Sequence, residues 1–433
     1  MRTQKRKVLV IQAAALGLDV ARRLPQWPAD LTPTPLEAVF PAVTCTAQAS
    51  FRTGALPREH GMTSNGVYNP RLKKILFWEQ AASLVSGPRI WDAFRANGGT
   101  VGLMFWQQSL GESADLIVSP RPIHKHSGGM IQDVYTQPRG LYDTLCAKVG
   151  RRFNLMHYWG PLASRKSTEW IVDAVCAVLA QADLAPDLLL TYLPHMDYDL
   201  QRHGPEHAKV DRAARELAGY LDTLTRHARE QGYEVVVTGD YAIGDVTQGA
   251  IFPNGALRNA DLFRTQTVKG MAYPDFFSGR AFAMVDHEVA HVHVPDRRDL
   301  EQAREVLTDI VGVAEVLDHE QQRAYGIDHA HSGDLVMIAD DGYWFAYPWW
   351  TDRSEAPDFA THVDIHNKPG FDPCELFFGW PPGSVSVDTT KVGGSHGRTG
   401  PTRAIAYAST IPFPEPPTNL ADLGRLVGDW VSR

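Results

Sequence analysis

Several segments of the chain are apolar at every position rather than at alternate ones. Val8, Leu9, Val10 and Ile11 form the first such run; residues 182–193 (ADLAPDLLLTYL) hold a second and residues 233–238 (YEVVVT) a third. A strand that is apolar on both faces belongs in a sheet covered on both sides, as parallel sheets are. Helical patterns lie between these runs. Trp170, Ile171, Ala174, Val175 and Val178 recur at helical spacing within residues 167–182, with Ser167, Thr168 and Glu169 as start signals. Leu217, Leu221 and Leu224 do so within residues 208–231, which Gly232 closes as a C-terminal cap. Strands alternating with helices of this length predict βαβ units. The fold class is α/β, with a mostly parallel central sheet flanked by helices.

After about residue 249 the pattern changes. Residues 290–294 (AHVHV) alternate, residues 297–311 read as an amphipathic helix, and residues 335–339 read as a further strand. This predicts a smaller α+β cap insertion over residues 250–350, carried by a core made of residues 1–249 and 351–433. Residues 343–350 (YWFAYPWW) are densely aromatic and serve either as interior packing or as an aromatic wall for a substrate. Residues 411–417 (IPFPEPP) read as an extended surface segment.

Charge narrows the partners. The 433 residues carry 42 Lys and Arg against 50 Asp and Glu, a net charge of −8. That balance argues against a nucleic-acid polymer or an anionic membrane as partner, and points to a small molecule. No apolar run reaches the roughly 18 residues of a membrane span. The basic start followed by apolar residues 8–17 has the outline of a signal peptide. Asp19, Arg22 and Arg23 follow at once, so the segment reads as a first core strand. Cys45, Cys146, Cys176 and Cys374 are scattered without a CxxC pair, which fits a reducing, cytoplasmic setting. Nothing in the sequence fixes the oligomeric state.

The richest chemistry lies in residues 40–68, FPAVTCTAQASFRTGALPREHGMTSNGVY. Thr44, Cys45 and Thr46 precede a helix-compatible run over residues 47–53, and Gly54, Pro57 and Gly61 punctuate a loop that ends at Asn65. A hydroxyl at a helix N-terminus is well placed to attack phosphorus, because free backbone N–H groups there favour an anion. By spacing alone, Thr44 reads equally as a helix cap and Asn65 as a turn residue.

This segment resembles the nucleophile motif of the alkaline phosphatase superfamily. The similar branch is that of the nucleotide pyrophosphatase/phosphodiesterases and phosphonoacetate hydrolases. Phe40, Pro41, Thr44, Thr53, Gly54, Pro57, His60, Gly61 and Asn65 match its pattern. The resemblance implies an alkaline phosphatase-like core and a hydrolase of phosphoester, phosphodiester, pyrophosphate or phosphonate bonds. It makes Thr44 the catalytic nucleophile and a metal ligand, and gives Asn65 the phosphoryl oxygens. The later motifs arrive in family order. Asp197 matches in D-Y-D-L-Q-R-H-G-P, Asp240 in T-G-D-Y and His396 in G-S-H-G, which implies that these three bind a divalent metal, zinc in this family.

The ligand set is incomplete. Ala14 stands where the first strand should deliver an Asp, Gln201 replaces one His, and Tyr241 replaces another. Ala offers no donor, and Gln and Tyr bind zinc less well than His. One ion is therefore expected rather than two. Asp364 and His366, two apart and just before the core resumes, are candidate replacement ligands. Asp286 and His287, ahead of the cap strand, are candidate substrate contacts, since a histidine-bearing loop faces the substrate in the phosphonoacetate hydrolases it resembles. His195, Asp199 and His203 flank Asp197 as candidate supports. Arg71, Lys73, Lys74, His124, Lys125 and His126 add local positive charge. The gaps at Ala14, Gln201 and Tyr241 leave an alternative: a protein that keeps the fold and acts as a lyase, isomerase, transferase or non-catalytic binding protein.

Overall fold

The computed structural model describes residues 5–126 and 129–433. Val8–Ala13 lies at the centre of an eight-stranded sheet and pairs in parallel with Leu188–Leu193 on one side and Glu234–Gly239 on the other. The unbroken apolar run follows from this position. Leu9, Ile11 and Ala13 enter one core with the helices Arg165–Leu179 and Ala208–Glu230, while Val8 and Val10 enter a second with Thr44–Thr53 and Leu420–Ser432. Val101–Met104 and Leu116–Ser119 extend the parallel set. Thr34–Leu36, Ile405–Ser409 and Tyr135–Gln137 add antiparallel pairs, so the sheet is mixed. Thr34–Leu36 contains Pro35, which lacks an N–H and is tolerated on an edge strand.

Residues 250–350 carry a second sheet. Phe282–Asp286, Val289–His293, Leu335–Ala339 and Val313–Leu317 lie side by side, all antiparallel. Its core takes Ile251, Leu257, Phe282 and Met337 together with Tyr68, Ile75, Phe77 and Phe371 from outside that span. Trp344, Phe345, Tyr347 and Trp349 are buried, so the aromatic run is largely interior packing. The predicted helix over 297–311 starts as a short 3-10 turn, and its α-helical part is Leu300–Thr308.

Parallel strands end on one side of a sheet, where α/β proteins gather ligand-binding groups. Ala14 follows Val8–Ala13, His195–His203 follows Leu188–Leu193, and Asp240 follows Glu234–Gly239. Thr44 begins the helix Thr44–Thr53, which packs on the same sheet.

Candidate active site

Thr44 is the first residue of a helix buried over Thr44–Arg52, and Gly54 closes that helix in the left-handed region at φ 64°. Its Oγ1 lies 3.4 Å from the Tyr192 hydroxyl. Tyr192 in turn donates to Asp240 Oδ2 at 3.1 Å. The other oxygen of Asp240 accepts the backbone N–H groups of Ala15 and Tyr241, each at 3.0 Å. Ala15 sits at φ 56°, a conformation that costs a non-glycine residue on the order of 1 kcal/mol and that turns its N–H onto the carboxylate. Burial and the neighbouring Asp197 push Asp240 up to about 8, against the lowering effect of its donors.

Asp197 is also capped at both oxygens. The Tyr241 hydroxyl donates to Oδ1 at 2.9 Å, and Gln201 Nε2 donates to Oδ2 at 2.7 Å. Thr44, Tyr192, Asp240, Tyr241, Asp197 and Gln201 thus form one hydrogen-bonded chain. Burial raises Asp197, with the donors opposing.

Four rings, one of them that of Tyr241, lie one against the next beside this chain. Tyr241 lies flat on His396, centroids 3.5 Å apart and planes 1° apart. His396 sits 3.7 Å from His287, and His287 stacks on Phe371 at 3.8 Å. His396 Nδ1 is 2.7 Å from the Ala42 carbonyl, and His287 Nδ1 is 2.8 Å from Asp286 Oδ1. Both Nε2 atoms are buried without a partner. Burial and the adjacent His287 hold His396 well below the usual histidine range, so its imidazole is neutral.

Asp286 does not reach the pocket. It is buried and accepts from Ser64 Oγ, Asn65 N and Asn65 Nδ2, besides contacting His287. Asn65 Oδ1 accepts the Cys45 N–H at 2.9 Å. Asn65 and Asp286, expected to touch substrate, therefore act behind the surface: they tie the helix N-terminus to the His287 turn. Cys45 is buried beside Gln108, and burial pushes its thiol up to about 12. His195 and His203 also lie apart: His195 contacts the Ala213 carbonyl, and His203 stacks on His207. Asp199 pairs with Arg202.

These groups open into a pocket of about 170 Å³. Thr44, Tyr192, Asp197, Gln201, Tyr241, His287 and His396 lie along it, with Trp78, Tyr158, Trp159 and Phe371 as aromatic walls. None of residues 343–350 lines it. Asp364 and His366 line the same pocket, but Asp364 accepts N–H groups from His366 and Asn367 in its own turn, and His366 Nδ1 contacts the Phe77 carbonyl. Lys368, buried, pairs with Asp372 and Glu375 at 2.7 Å each, and Glu375 accepts from Trp159 Nε1 and Asp364 N. That pair fixes one wall. Of the expected positive cluster only His124 faces the pocket, and Arg121 is the one Lys or Arg among its described lining.

The donor set does not fit the dinuclear centre that the resemblance implies. Every oxygen of Asp197 and Asp240 already accepts a hydrogen bond, and Ala14 has no donor. Among the described residues no group of three or more His, Cys, Asp or Glu is placed to hold one metal ion, so Asp364 and His366 do not complete a site with Asp197, Asp240 and His396.

The family model for type I phosphodiesterase / nucleotide pyrophosphatase matches residues 30–372. The chain belongs to this family. The family comprises hydrolases of phosphodiester and pyrophosphate bonds, and the motif around Thr44 lies inside the matched span. No curated protein sequence matches the chain. Among solved structures, phosphonoacetate hydrolase from Sinorhizobium meliloti 1021 in complex with phosphonoacetate superposes with a TM-score of 0.64 at 15% identity, covering 99% of this chain and 96% of that one. Murine ectonucleotide pyrophosphatase / phosphodiesterase 5 gives a TM-score of 0.61 at 13% identity, covering 98% and 95%. An inactive variant of the murine protein in complex with AMP gives 0.61 at 13%, covering 99% and 95%. At these identities the likeness establishes the shared alkaline phosphatase-like fold.

Tyr192 is the site residue that sequence reasoning misses. It sits in the apolar run LLLTYL, where a tyrosine reads as core. The signal available is its place at the C-terminal end of a central parallel strand, the position from which such sheets present functional groups.

Proposed function

We propose that this protein hydrolyses a small phosphate ester, diester, pyrophosphate or phosphonate, with Thr44 as nucleophile. One observation carries the reading: Thr44 stands at the first turn of a buried helix and lines a pocket together with His287 and His396, whose Nε2 atoms have no partner. In this reading Thr44 Oγ attacks phosphorus and forms a new P–O bond as the leaving atom departs, oxygen in the esters and pyrophosphates and carbon in a phosphonate; the hydroxyl proton passes by way of Tyr192 to Asp240 Oδ2, and the leaving group takes a proton from water. Water then cleaves the threonine ester and restores the hydroxyl. The helix N-terminus holds the phosphoryl oxygens; His396 Nε2 is an acceptor, since Nδ1–H donates to the Ala42 carbonyl, and suits a hydroxyl or water proton rather than an anionic oxygen. Asn65 with Asp286 keeps the helix and His287 in register. The aromatic walls suit a ring-bearing or otherwise apolar substituent. AMP and phosphonoacetate, the ligands of the solved neighbours, are therefore sensible starting chemistries. The zinc expected from the resemblance enters no step, because the donor set does not fit it. Residues 250–350 supply His287 and so bear on substrate choice. The four unpaired cysteines support a cytoplasmic setting.

A second reading is favoured by the capped carboxylates: a protein that binds a phosphoryl compound without hydrolysing it. Turnover of a panel of aryl phosphodiesters, nucleotide pyrophosphates and phosphonates, run beside calorimetric binding of the same compounds, separates the two. Product release supports hydrolysis. Binding of panel members with no product over many hours supports the second reading and contradicts the first.

A further inference from the structure

Hydrogen-bond donors belonging to the chain fill the places around Asp197 and Asp240. Tyr192 bridges Thr44 and Asp240, the span across which a second cation would otherwise bind both a nucleophile and a carboxylate. Tyr241 and Gln201 do the same for Asp197, from the two positions where the family motif has histidine. These are built contacts. Tyr192, Tyr241, Asp197, Asp240 and Gln201 are all buried, and the Tyr241 ring is clamped flat against His396. A metal at either carboxylate would have to crowd in beside these donors on a shared oxygen, or strip a buried hydroxyl or amide of its partner at a loss of about 1–3 kcal/mol for each group.

We propose that this pocket excludes divalent cations, and that Tyr192, Tyr241 and Gln201 are the residues that exclude them. The hydroxyl of Tyr192 then replaces a cation as the group that fixes Thr44 against Asp240. The inference rests on the reading of Thr44 and its neighbours as the active site, but concerns metal content and not turnover. The same arrangement makes a direct prediction for chelators: the fold and its ligand binding are indifferent to them.

The test is elemental analysis of the full chain after equilibration with Zn²⁺, Mn²⁺ or Mg²⁺ and desalting, together with thermal melts with and without EDTA. Less than about a tenth of an ion per chain and unchanged melting are expected. One or more stoichiometric ions would overturn the proposal whether or not any substrate is turned over. Failure of the phosphoryl panel, by contrast, would leave this result standing. A second arm uses the variant Ala14→Asp/Gln201→His/Tyr241→His, with Tyr192→Phe alone as a milder one. Restoring the donors is expected to raise zinc affinity by about 100-fold. If the multiple variant does not fold, the wild-type measurement and Tyr192→Phe still decide. If the multiple variant with Tyr192→Phe added folds and still takes no zinc, some other feature excludes the metal, and the assignment to these three side chains is overturned.

Discussion

Thr44 is legible in the sequence because it stands in a dense motif, and a motif of nine positions specifies a loop and helix as well as a residue. Asp286 and Asp364 are harder to read. Each belongs to an Asp and His pair, and a linear pattern cannot say whether such a carboxylate faces a pocket or the backbone. Here both carboxylates are taken up by their neighbours, Asp286 by Ser64, Asn65 and His287, and Asp364 by its own turn. Cys45 shows the opposite hazard. It adjoins the proposed nucleophile at a helix N-terminus, where thiols are often reactive. Burial instead pushes it up to about 12, so it remains a neutral thiol. Cys45→Ala is therefore expected to change turnover by less than about threefold and stability by about 1–2 kcal/mol, the cost of a small cavity. Assays with and without a thiol-alkylating reagent check this: the wild type should resist inhibition under conditions that label the partly exposed Cys146. Loss of activity on alkylation at Cys45 would show that the thiol reaches substrate.

Among elements, the buried strands and amphipathic helices are the most legible. Residues 335–339 are a strand as read, and the helix read over 208–231 is Ala208–Glu230. The run at 182–193 shortens to Leu188–Leu193, because Pro186 and Asp187 sit before the strand and Asp187 is spent on Thr100. Thr44–Thr53 begins three residues earlier than the pattern at 47–53 suggests, since Thr44, Cys45 and Thr46 carry no periodic apolar signal. The hairpin of Phe282–Asp286 and Val289–His293 matters most for the site, because its turn delivers His287. Five bonds hold that turn: Glu288 N to the His396 carbonyl, Phe345 N to the His287 carbonyl, Ala339 N to the Glu288 carbonyl, and the Glu288 carboxylate to Arg403 at 2.9 Å and to Arg398 N at 3.0 Å. Glu288 and Arg403 are both buried, so Glu288→Ala takes away the guanidinium's buried partner and leaves it the exposed Asp341 at 3.8 Å, at an expected cost of about 3 kcal/mol. Glu288→Gln keeps an acceptor and should cost less. Urea unfolding measures the difference, and a rise in KM larger than the fall in kcat in Glu288→Gln would place the damage at the His287 turn.

Across the whole molecule, buried histidines couple the fold to pH. Burial is the largest cause in each case, holding His60 and His293 down to about 3 and His291 to about 4. In the unfolded chain each titrates near 6.5, so between about pH 6.5 and 4 the unfolded state binds more protons than the folded one. The stability from keeping them neutral is complete above about 6.5 and is lost as pH falls, by up to about 1.4 kcal/mol per histidine per pH unit. Asp240, pushed up to about 8, works the other way, because between about pH 4 and 8 only the folded state holds its proton, and it offsets about one histidine's share. Urea unfolding at pH 7 and pH 5 should show the remaining drop, and His293→Phe, which fills the place between Tyr68 and Phe282, should make it shallower. At this scale the α/β class is plain in the sequence, whereas the two sheets meeting around one pocket depend on long-range packing that periodicity does not encode. Thr44 lines that pocket, and the proposed function has its hydroxyl meet a phosphoryl group there. The most direct measurement is the rate of Thr44→Ala beside wild type on whichever panel compound is turned over, with melting temperatures recorded for both. A fall of at least about 1000-fold at unchanged melting is predicted; a rate within about tenfold of wild type would contradict the assignment of Thr44 as the nucleophile.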